Sequence, residues 1–353
     1  MASNNKCIWV DANGKLSIRP VIEEYEPSGG QALVKVAYSA INPADLAHAR
    51  ALGFNNSVCG YEFCGTVVAT GQTSRYAVGD VVFGSNEPGP RRPPFYGAHQ
   101  DFLITESNSL SMRLDNKDVS HPDAAAMSIM VRTAADALLN HFGLRLPAGE
   151  QNPNLGHPGA LVIWGGASAV GTAAIQLARA LNIDSIFVTA SPRNFEALQR
   201  IGASLCFDYR DEHVVANIQT ALEQSAVPLT MVFDTVCKGG RINTIKQCES
   251  LSTSANIQFA CTLPQPGNPR WNMVLASRAN DFPFPPPLPP RKASPKCEAR
   301  LEEAVSWAVH NYGAGFVVPK VTVVEGGHAG LAAIHDVFEG RNSFQKVVIK
   351  TPI

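Results

Sequence analysis

The sequence has no C-x-x-C pair among its eight cysteines, which lie scattered along the chain. This spacing shows neither a disulfide framework nor a zinc ribbon, and it predicts small, buried, free thiols in a reducing compartment. The sequence also lacks a long run of one charge, and its 29 basic and 30 acidic residues give a net charge of −1. We therefore expect no nucleic-acid or membrane partner and favour small molecules or protein surfaces.

The sequence also shows no pattern typical of a signal peptide or of a membrane-spanning helix. The N-terminus has no basic segment followed by an apolar one, so it predicts no signal peptide, and we expect a cytoplasmic protein. The most apolar segment, 159–181, contains a Gly pair and an Arg. A buried strand, turn and helix fits this segment better than a membrane span does.

Two patterns divide the chain, whose 353 residues are enough for two domains. From Cys7 to about Phe102, short apolar runs alternate with Gly, Pro and Asn turns, the pattern of a small β-barrel. A helical pattern begins at His121, and strands then alternate regularly with helices, as in a doubly wound parallel sheet. The sequence therefore predicts an α/β protein with a barrel-like domain and a dinucleotide-binding domain.

The strongest chemical signal is the turn "GGASAVG", which follows the apolar strand "LVIW" and leads into a small-residue helix. Such a turn places a dinucleotide pyrophosphate on the helix N-terminal amides. The middle glycine of the usual motif is missing, because Ser168 and Ala169 stand there. We predict cofactor binding at this turn, with Gly165, Gly166 and Gly171 shaping it.

The end of the next strand indicates which cofactor binds. Enzymes that use NAD place an Asp or Glu there for the ribose hydroxyl, whereas "IFVTASPRNF" has no acid. It offers Ser191, Arg193 and Asn194 instead, which suit an additional phosphate. We predict NADPH, and the alternative is that Ser191 and Pro192 only begin a helix.

Motifs spread over nearly the whole chain carry a family resemblance: "INPADLAHAR", "GYEFCGTVVATG", "VGDVVFGS", "GGASAVG", "ASPRNF", "FDYR" and "NSFQKVVIK". Together they resemble the zinc-free quinone and enoyl reductase branch of the medium-chain dehydrogenases. Within it, "ASPRNF" followed by "FDYR" resembles the trans-acting enoyl reductases that work beside fungal polyketide synthases. The resemblance implies a GroES-like β-barrel catalytic domain at 1–125 and 308–353, a Rossmann domain at 126–307, and a substrate cleft between them.

The resemblance also implies individual cofactor contacts. The pyrophosphate would contact Ala167, Ser168, Ala169 and Val170. The adenosine phosphate end would contact Ser191, Arg193, Asn194 and Tyr209, and the nicotinamide and its riboses would border Thr262, Leu263, Ser343 and Phe344. Asp45, in the N-P-x-D motif, is a further expected cofactor contact.

Tyr61 occupies the position of a metal-binding His in the zinc-containing relatives. The first-ligand Cys is also replaced, within "NPAD", and Glu62 and Cys64 do not restore the set. A catalytic zinc needs about three protein ligands, so we predict a site without metal. An alkene conjugated to a carbonyl can be reduced without a Lewis acid, because hydrogen bonds stabilise the resulting enolate.

Three residues are candidates for the catalytic chemistry. A Lys that the family often carries is Ala47 here, and the adjacent His48 is either a replacement proton donor or a structural histidine. Tyr61 is an alternative donor. Thr133 matches a Thr that faces the substrate carbonyl in the family, although it could equally pack within its helix.

The run "DFPFPPPLPP" is the compositional exception of the chain. Its P-x-x-P spacing fits a polyproline ligand of SH3-type domains. The favoured interpretation is a stiff loop near the active site, in which Phe282 and Phe284 contact apolar substrate.

Three functions remain open at the level of sequence. The leading one is a trans-acting enoyl reductase for a carrier-bound polyketide thioester, with a polyketide synthase as its partner. The second is an NADPH-dependent reductase of a free quinone, enone or carbonyl compound. The third is a cofactor-binding relative without hydride chemistry.

Overall fold

The computed structural model describes residues 5–106, 108–147, 159–240, 242–251, 256–286 and 288–353. The chain forms two compact units. Unit 1 comprises Met1–Ile129, Ser277–Glu302 and Lys320–Ile353, and unit 2 comprises Met130–Ala276 and Glu303–Pro319.

These bounds differ from the predicted ones in the last third of the chain. The segment Ser277–Glu302 groups with the barrel, and 308–319 groups with the Rossmann unit. Two side-chain contacts within unit 1 account for the first difference. The Ser277 hydroxyl donates to the Glu87 carboxylate at 2.7 Å, and the Ser109 hydroxyl donates to Glu298 at 2.6 Å.

The strands in the described ranges are, in chain order, β1 (Lys6–Val10), β2 (Leu16–Pro20), β3 (Gln31–Ala40), β4 (Ser57–Val58), β5 (Glu62–Thr70), β6 (Val81–Ser85), β7 (Phe102–Glu106), β8 (Ser111–Arg113), β9 (Ala160–Trp164), β10 (Ile186–Ala190), β11 (Leu205–Asp208), β12 (Leu229–Asp234), β13 (Gln258–Cys261), β14 (Trp271–Met273), β15 (Val321–Glu325) and β16 (Lys346–Lys350).

The α-helices there are α1 (Ala44–Ala51), α2 (His121–Ala135), α3 (Ala169–Ala180), α4 (Phe195–Arg200), α5 (Val214–Ser225), α6 (Thr244–Ser250), α7 (Pro295–His310) and α8 (Gly326–Phe338). A π-helical turn, Asp136–His141, extends α2, and 3-10 turns occupy Pro94–Tyr96 and Pro192–Asn194. None of the helices in the described ranges has the length and apolar character that crossing a membrane requires.

Unit 2 is built on a parallel sheet with the strand order β11-β10-β9-β12-β13-β14. Every residue of β9 and β10 is buried, as expected for strands covered on both faces. The order reverses between β9 and β12, which is the position where doubly wound sheets bind ligands. The predicted Rossmann-type sheet is confirmed.

Unit 1 is built mainly on antiparallel strands. The long β3 pairs with β5, with β7 and with β16, and it holds together a sheet in the order β15-β16-β3-β5-β6-β8. A smaller sheet has the order β2-β1-β4. A core that includes Ile8, Leu46, Ile334 and Ile349 lies where α1 and α8 pack on these strands. The β-rich first domain that the sequence predicted is confirmed.

All eight cysteines are free, as predicted, and five of them are buried. Burial raises the pKa of the Cys59 and Cys64 thiols, the latter to about 12. Both thiols beside Tyr61 in the sequence therefore stay protonated near neutral pH.

A buried ion pair joins four segments of unit 1. Lys346 Nζ lies 2.8 Å from Glu62 Oε2 and donates to Asn42 Oδ1 at 2.7 Å. Glu62 Oε1 accepts the backbone amide of Ile129 at 2.6 Å. The side chains of Lys346 and Glu62 are 5% and 0% exposed, so little water screens the pair. This network thereby connects the start of β16, the start of β5, α2 and Asn42, which lies just before α1.

Loss of one partner of this pair tests its contribution to stability. We expect Lys346→Met to lower the free energy of unfolding by about 3–5 kcal/mol, because the Glu62 charge stays buried without a partner. Chemical denaturation monitored by circular dichroism measures the change. Adding Glu62→Gln to that variant is expected to recover part of the loss. Lys350→Met, which removes an exposed pair with Glu325, is the control and should change stability little, because water screens that pair. Equal losses in the two single variants would contradict the assignment.

Candidate functional site

The glycine turn of unit 2 lies at the point where the strand order reverses. Gly165 follows β9 with a φ of 89°, which favours glycine, and a Cβ there would approach Thr235 Oγ1 to 2.8 Å. The Ser168 hydroxyl accepts the Gly171 amide at 2.8 Å and so caps α3. It also donates to Thr235 Oγ1, across the end of β12, at 2.8 Å. These contacts fix the turn between β9 and α3 in one conformation.

The capped helix offers backbone donors to an anion. Ser168 satisfies the Gly171 amide, whereas the amides of Ala169 and Val170 have no acceptor among the described residues. Both residues are only partly buried. Free N–H groups at the N-terminus of a twelve-residue helix suit a phosphate group. The predicted residues from Ala167 to Val170 therefore stand where a pyrophosphate fits.

Polar side chains meet at the ends of β10 and β11. The Arg210 Nη2 group donates to Ser191 Oγ at 2.7 Å, and the Arg210 guanidinium lies 5.2 Å from the centre of the Tyr209 ring. A hydrogen bond with Ser191 lowers the pKa of the Tyr209 hydroxyl, and Arg210 adds to this effect. Arg193 is exposed on the turn after Ser191, and Asn194 is buried in the same turn.

Arg210 is a basic residue of this group that sequence reasoning missed. It directly follows Tyr209 in "FDYR", so the motif contained the signal. Arg210 is also the residue that holds Ser191, through the bond described above. Two arginines and two hydroxyl groups at adjacent strand ends form a set of donors that suits a phosphate monoester.

The ends of β12 and β13 expose apolar and thiol groups. Val236 and Leu263 are 42% and 49% exposed, which is unusual for large apolar side chains at the ends of buried strands. Cys237 Sγ lies 3.5 Å from Thr262 Oγ1 between them. The sequence predicted Thr262 and Leu263 for the nicotinamide end, and the structure adds Val236 and Cys237 beside them. Their role in cofactor binding stays a prediction.

A cluster of rings lies in unit 1, formed by His48, Phe54, Tyr61, Phe282 and Phe284; we call it the aromatic cluster. The centre of the His48 ring lies 5.6 Å from Phe54, 5.4 Å from Tyr61 and 6.1 Å from Phe282. Phe282 also contacts Phe54 at 5.8 Å and Phe284 at 4.5 Å. The structure thus brings together four predicted site residues and adds Phe54.

The proline-rich run supplies two of these rings from a closed loop. Phe282 exchanges backbone hydrogen bonds with Arg291 at 2.7 and 2.9 Å, and Lys292 pairs with Asp281 at 2.7 Å. The chain therefore reverses between 282 and 291, although Pro287 lies outside the described residues. This arrangement favours the predicted loop over an extended SH3-type ligand, because a polyproline helix does not fold back on itself.

His48 and Tyr61 form the polar pair of the aromatic cluster. His48 Nδ1 lies 3.0 Å from the Tyr61 hydroxyl. The pKa of His48 is lowered to about 4, mainly by burial; Asp45 opposes this effect and Arg92 adds to it. Burial also raises the pKa of the Tyr61 hydroxyl well above its usual value. Both groups are therefore uncharged near neutral pH, and one hydrogen bond connects them.

A second buried network of hydrogen bonds connects His99 with Ser39 and Asp45. His99 Nδ1 lies 2.9 Å from Ser39 Oγ, and His99 Nε2 lies 3.2 Å from Asp45 Oδ2. Asp45 Oδ2 also accepts the Asn42 amide at 2.7 Å. Ser39 and His99 are fully buried, so this Ser-His-Asp series does not form a hydrolase site. Gly60 has a φ of 87°, and a Cβ there would lie 2.7 Å from the His99 ring, so the network requires glycine before Tyr61.

The remaining predicted site residues are buried or partly buried. Asp45 is 3% exposed and bonds to His99, and Thr133 is 8% exposed on α2. Ser343 and Phe344 lie just before β16, partly buried, and Phe344 has a left-handed φ of 56°, a strained value for a bulky residue. The predicted cofactor contacts of Asp45, Ser343 and Phe344, and the substrate contact of Thr133, stay predictions.

The described residues contain no group of three or more His, Cys, Asp or Glu side chains placed to hold a metal ion. Around Tyr61, the two nearest thiols have raised pKa values, and Glu62 is bonded to Lys346. The residues present in this region therefore do not match the ligand set of a catalytic zinc.

Comparison with known proteins identifies the relatives of this chain. A family model described as the alcohol dehydrogenase GroES-like domain matches residues 28–100. The trans-enoyl reductase gkaC of Penicillium citrinum is 32% identical over 198 residues, which are 55% of this chain and 54% of that protein. The trans-enoyl reductase grgB of a Penicillium species is 33% identical over 243 residues, 66% of this chain and 63% of that protein.

The solved structure of the CurK enoyl reductase superposes with a TM-score of 0.73 and 20% identity, and the match covers 99% of this chain and 100% of that one. The chain resembles the enoyl reductase branch of the medium-chain dehydrogenases. The resemblance predicted from the motifs is thus confirmed, and so is the fold of that family. The matches to the two curated relatives span between half and two thirds of their lengths.

The low pKa of His48 in this medium-chain dehydrogenase fold has a consequence for stability. The unfolded chain binds a proton at this group near pH 6.5, whereas the folded chain binds it only near pH 4. Stability from neutral His48 is therefore complete above pH 6.5 and is lost as the pH falls towards 4, by up to about 3 kcal/mol. We expect His48→Gln to have a shallower loss of unfolding free energy over this interval in denaturation experiments.

His213→Gln is the control for that experiment, because the His213 side chain is 74% exposed. The control should keep the slope of the parent protein between pH 7 and pH 4. Identical slopes in the parent protein and His48→Gln would show that burial does not hold His48 neutral.

Proposed function

We propose that this protein is an NADPH-dependent enoyl reductase that reduces the α,β-unsaturated thioester of a polyketide intermediate. Relatives that share about a third of its residues over the matched regions are named trans-enoyl reductases. The observation that supports the reaction type is the His48–Tyr61 hydrogen bond. It puts an uncharged proton donor where the zinc-containing relatives have a metal ligand.

The residues of unit 2 fit NADPH. The free amides at the start of α3 suit the pyrophosphate, and Ser191, Arg193, Tyr209 and Arg210 suit the adenosine phosphate. The exposed Val236 and Leu263 offer apolar surface for the nicotinamide ring. When bound, NADPH supplies a hydride, which is one hydrogen with two electrons.

The residues of unit 1 supply the proton and the environment. Hydride addition to the β-carbon moves the alkene electrons through the α-carbon to the carbonyl oxygen as an enolate. The Tyr61 hydroxyl then donates a proton to the α-carbon, and a proton from solvent reaches Tyr61 through His48 Nδ1. The substrate gains one hydride and one proton, and no metal takes part. Phe54 and Phe282 exclude water from this step.

We propose that the substrate is bound to a carrier domain of a polyketide synthase, as the motif resemblance to the trans-acting enoyl reductases implies. A second candidate substrate is a free quinone or enone. The observation that favours it is the aromatic cluster, since flat apolar rings pack favourably against aromatic side chains.

Charge reversal at the proposed phosphate site tests the cofactor. We expect Arg210→Glu and Arg193→Glu each to weaken NADPH binding by about 10- to 100-fold, because a charge-assisted bond is lost and repulsion is added. NADH binding should change little. Fluorescence titration of each reduced cofactor measures both affinities. Arg200→Glu, at an exposed position on α4, is the matched control. Parallel losses for NADPH and NADH would show that these arginines do not contact the 2′-phosphate.

Isotope labelling tests the reaction. With 4-deuterated NADPH and a crotonyl thioester, we expect deuterium at the β-carbon and a solvent hydrogen at the α-carbon. Mass spectrometry and NMR of the product locate the label. Tyr61→Phe and His48→Ala should lower kcat strongly and leave the Kd of NADPH unchanged, because each removes an interaction of the transition state alone.

Three other outcomes have distinct meanings. Label on a carbinol carbon would replace the proposal with a carbonyl reductase. Reduction of quinones but not of enoyl thioesters would favour the second candidate substrate. Activity that is lost with a chelator and restored by zinc would contradict the mechanism without metal.

A further inference from the structure

Arg92 packs against the polar pair of the aromatic cluster. It lies in the loop between β6 and the 3-10 turn Pro94–Tyr96, and its guanidinium carbon is 4.5 Å from the centre of the Tyr61 ring. The Nη2 group donates to the Val58 carbonyl at 2.7 Å. One contact on a ring face and one hydrogen bond thus hold the guanidinium beside Tyr61.

The second terminal nitrogen of Arg92 has no such bond. Nη1 is buried, and the described residues supply no acceptor for it. They also place no carboxylate within ion-pair distance of Arg92, although other arginines in unit 1, such as Arg341, have one. A buried charged donor without an acceptor is costly in free energy, so its position indicates an acceptor that comes from outside the chain.

The surroundings favour an oxygen with negative charge. Burial raises the pKa of Tyr61 and lowers that of His48, and the positive charge of Arg92 acts to lower both. Asp45 is the opposing charge that acts on the same two groups. Its Oδ2 atom accepts from the Asn42 amide and lies within hydrogen-bond distance of His99, while its Oδ1 atom has no partner among the described residues.

We propose that Arg92 binds the carbonyl oxygen of the substrate through Nη1 and stabilises the enolate that hydride addition creates. This inference rests on the proposed function and adds a residue to it. The electrons of the reduced alkene end on that oxygen, so a fixed cation there stabilises the transition state more than the ground state. The preserved bond to Val58 keeps the guanidinium oriented while Nη1 contacts the substrate.

Arg92 and Tyr61 would have separate roles in the reaction. Arg92 holds the oxygen, and Tyr61 protonates the α-carbon, which is two bonds away from that oxygen. The contact between the guanidinium and the Tyr61 ring keeps these two functions at a fixed spacing. Arg92 also opposes the charge of the phenolate that Tyr61 becomes after it donates its proton.

Binding of an enolate tests the inference without any hydride transfer. The probe is the acetoacetyl thioester of N-acetylcysteamine, whose enolate absorbs in the near ultraviolet and whose keto form does not. With the purified protein and NADP⁺ at pH 7, we expect bound probe to show the enolate absorbance. Arg92→Met should lose this signal and bind the probe about 10- to 100-fold more weakly, because a hydrogen bond to a charged group is removed. Arg92→Lys should retain part of it.

Arg91→Met is the matched control, since Arg91 is adjacent in sequence, exposed and outside the aromatic cluster. It should keep the signal of the parent protein. Thermal unfolding and NADPH affinity of all variants show whether each one folds. If Arg92→Met does not fold, the comparison of Arg92→Lys with the parent protein decides the question, because lysine keeps the charge and loses the planar fork.

Each result separates this inference from the proposed function. An enolate signal that depends on Arg92, in a protein that reduces no enoyl thioester, supports the oxygen site and overturns the proposed reaction. Reduction of enoyl thioesters with no enolate signal, or with equal signals in Arg92→Met and the parent protein, overturns the role of Arg92 and leaves the proposed reaction standing.

Discussion

The contact between Lys346 and Glu62 is the constraint on which unit 1 depends. Lys346 begins the strand that completes the main sheet, and Glu62 follows Tyr61 directly at the start of β5. Asn42, which shares the network, comes just before the helix that carries His48. The ion pair thus fixes the backbone on both sides of the His48–Tyr61 bond. A displaced β16 would shift Tyr61 as well as the sheet.

Burial sets the chemistry of this region more than any single charge does. Contacts with Phe54 and Phe282 cover part of the His48 ring, and burial is the main cause of its low pKa. A neutral imidazole can accept a proton from Tyr61 or pass one to it, whereas an imidazolium could only donate. The family Lys is Ala47 here, and the adjacent His48 is neutral near pH 7, so it is not a fixed cation. In the proposed mechanism its role is to pass a proton to Tyr61.

The sequence predicted the framework because local patterns determine it. Apolar runs separated by helices specify a parallel sheet, and "GGASAVG" can only turn where glycine relieves the backbone, so β9, α3 and the turn between them were predictable. His48 and Tyr61 were also both predicted as candidate catalytic residues, and the structure brings their side chains into contact. Their hydrogen bond, however, depends on how α1 packs on β5, and no local pattern records that.

The residues that sequence reasoning missed are those whose meaning depends on distant partners. Arg92 gains its position from Tyr61 and Val58, which precede it by about thirty residues, and Phe54 acquires a role only because the Phe282 loop reaches it. The segment Ser277–Glu302 looked like part of the Rossmann pattern because it follows that pattern in sequence. Its bonds to Glu87 and Ser109 decide otherwise, and polar contacts of this kind leave no periodic signal.

The pairing of β16 with β3 has a consequence for how the protein is made. β3 ends at Ala40, whereas its partner strand β16 begins only at Lys346, so most of the sequence described here is made between the two. Until then the edge of β3 has unpaired amides and carbonyls next to apolar side chains, a surface that attracts other strands. The strand pairs of unit 2 join segments that lie closer together in the sequence, so unit 2 can begin to fold before β16 is made. This edge of β3 therefore needs protection, by a chaperone or by the speed of synthesis, until β16 has been made.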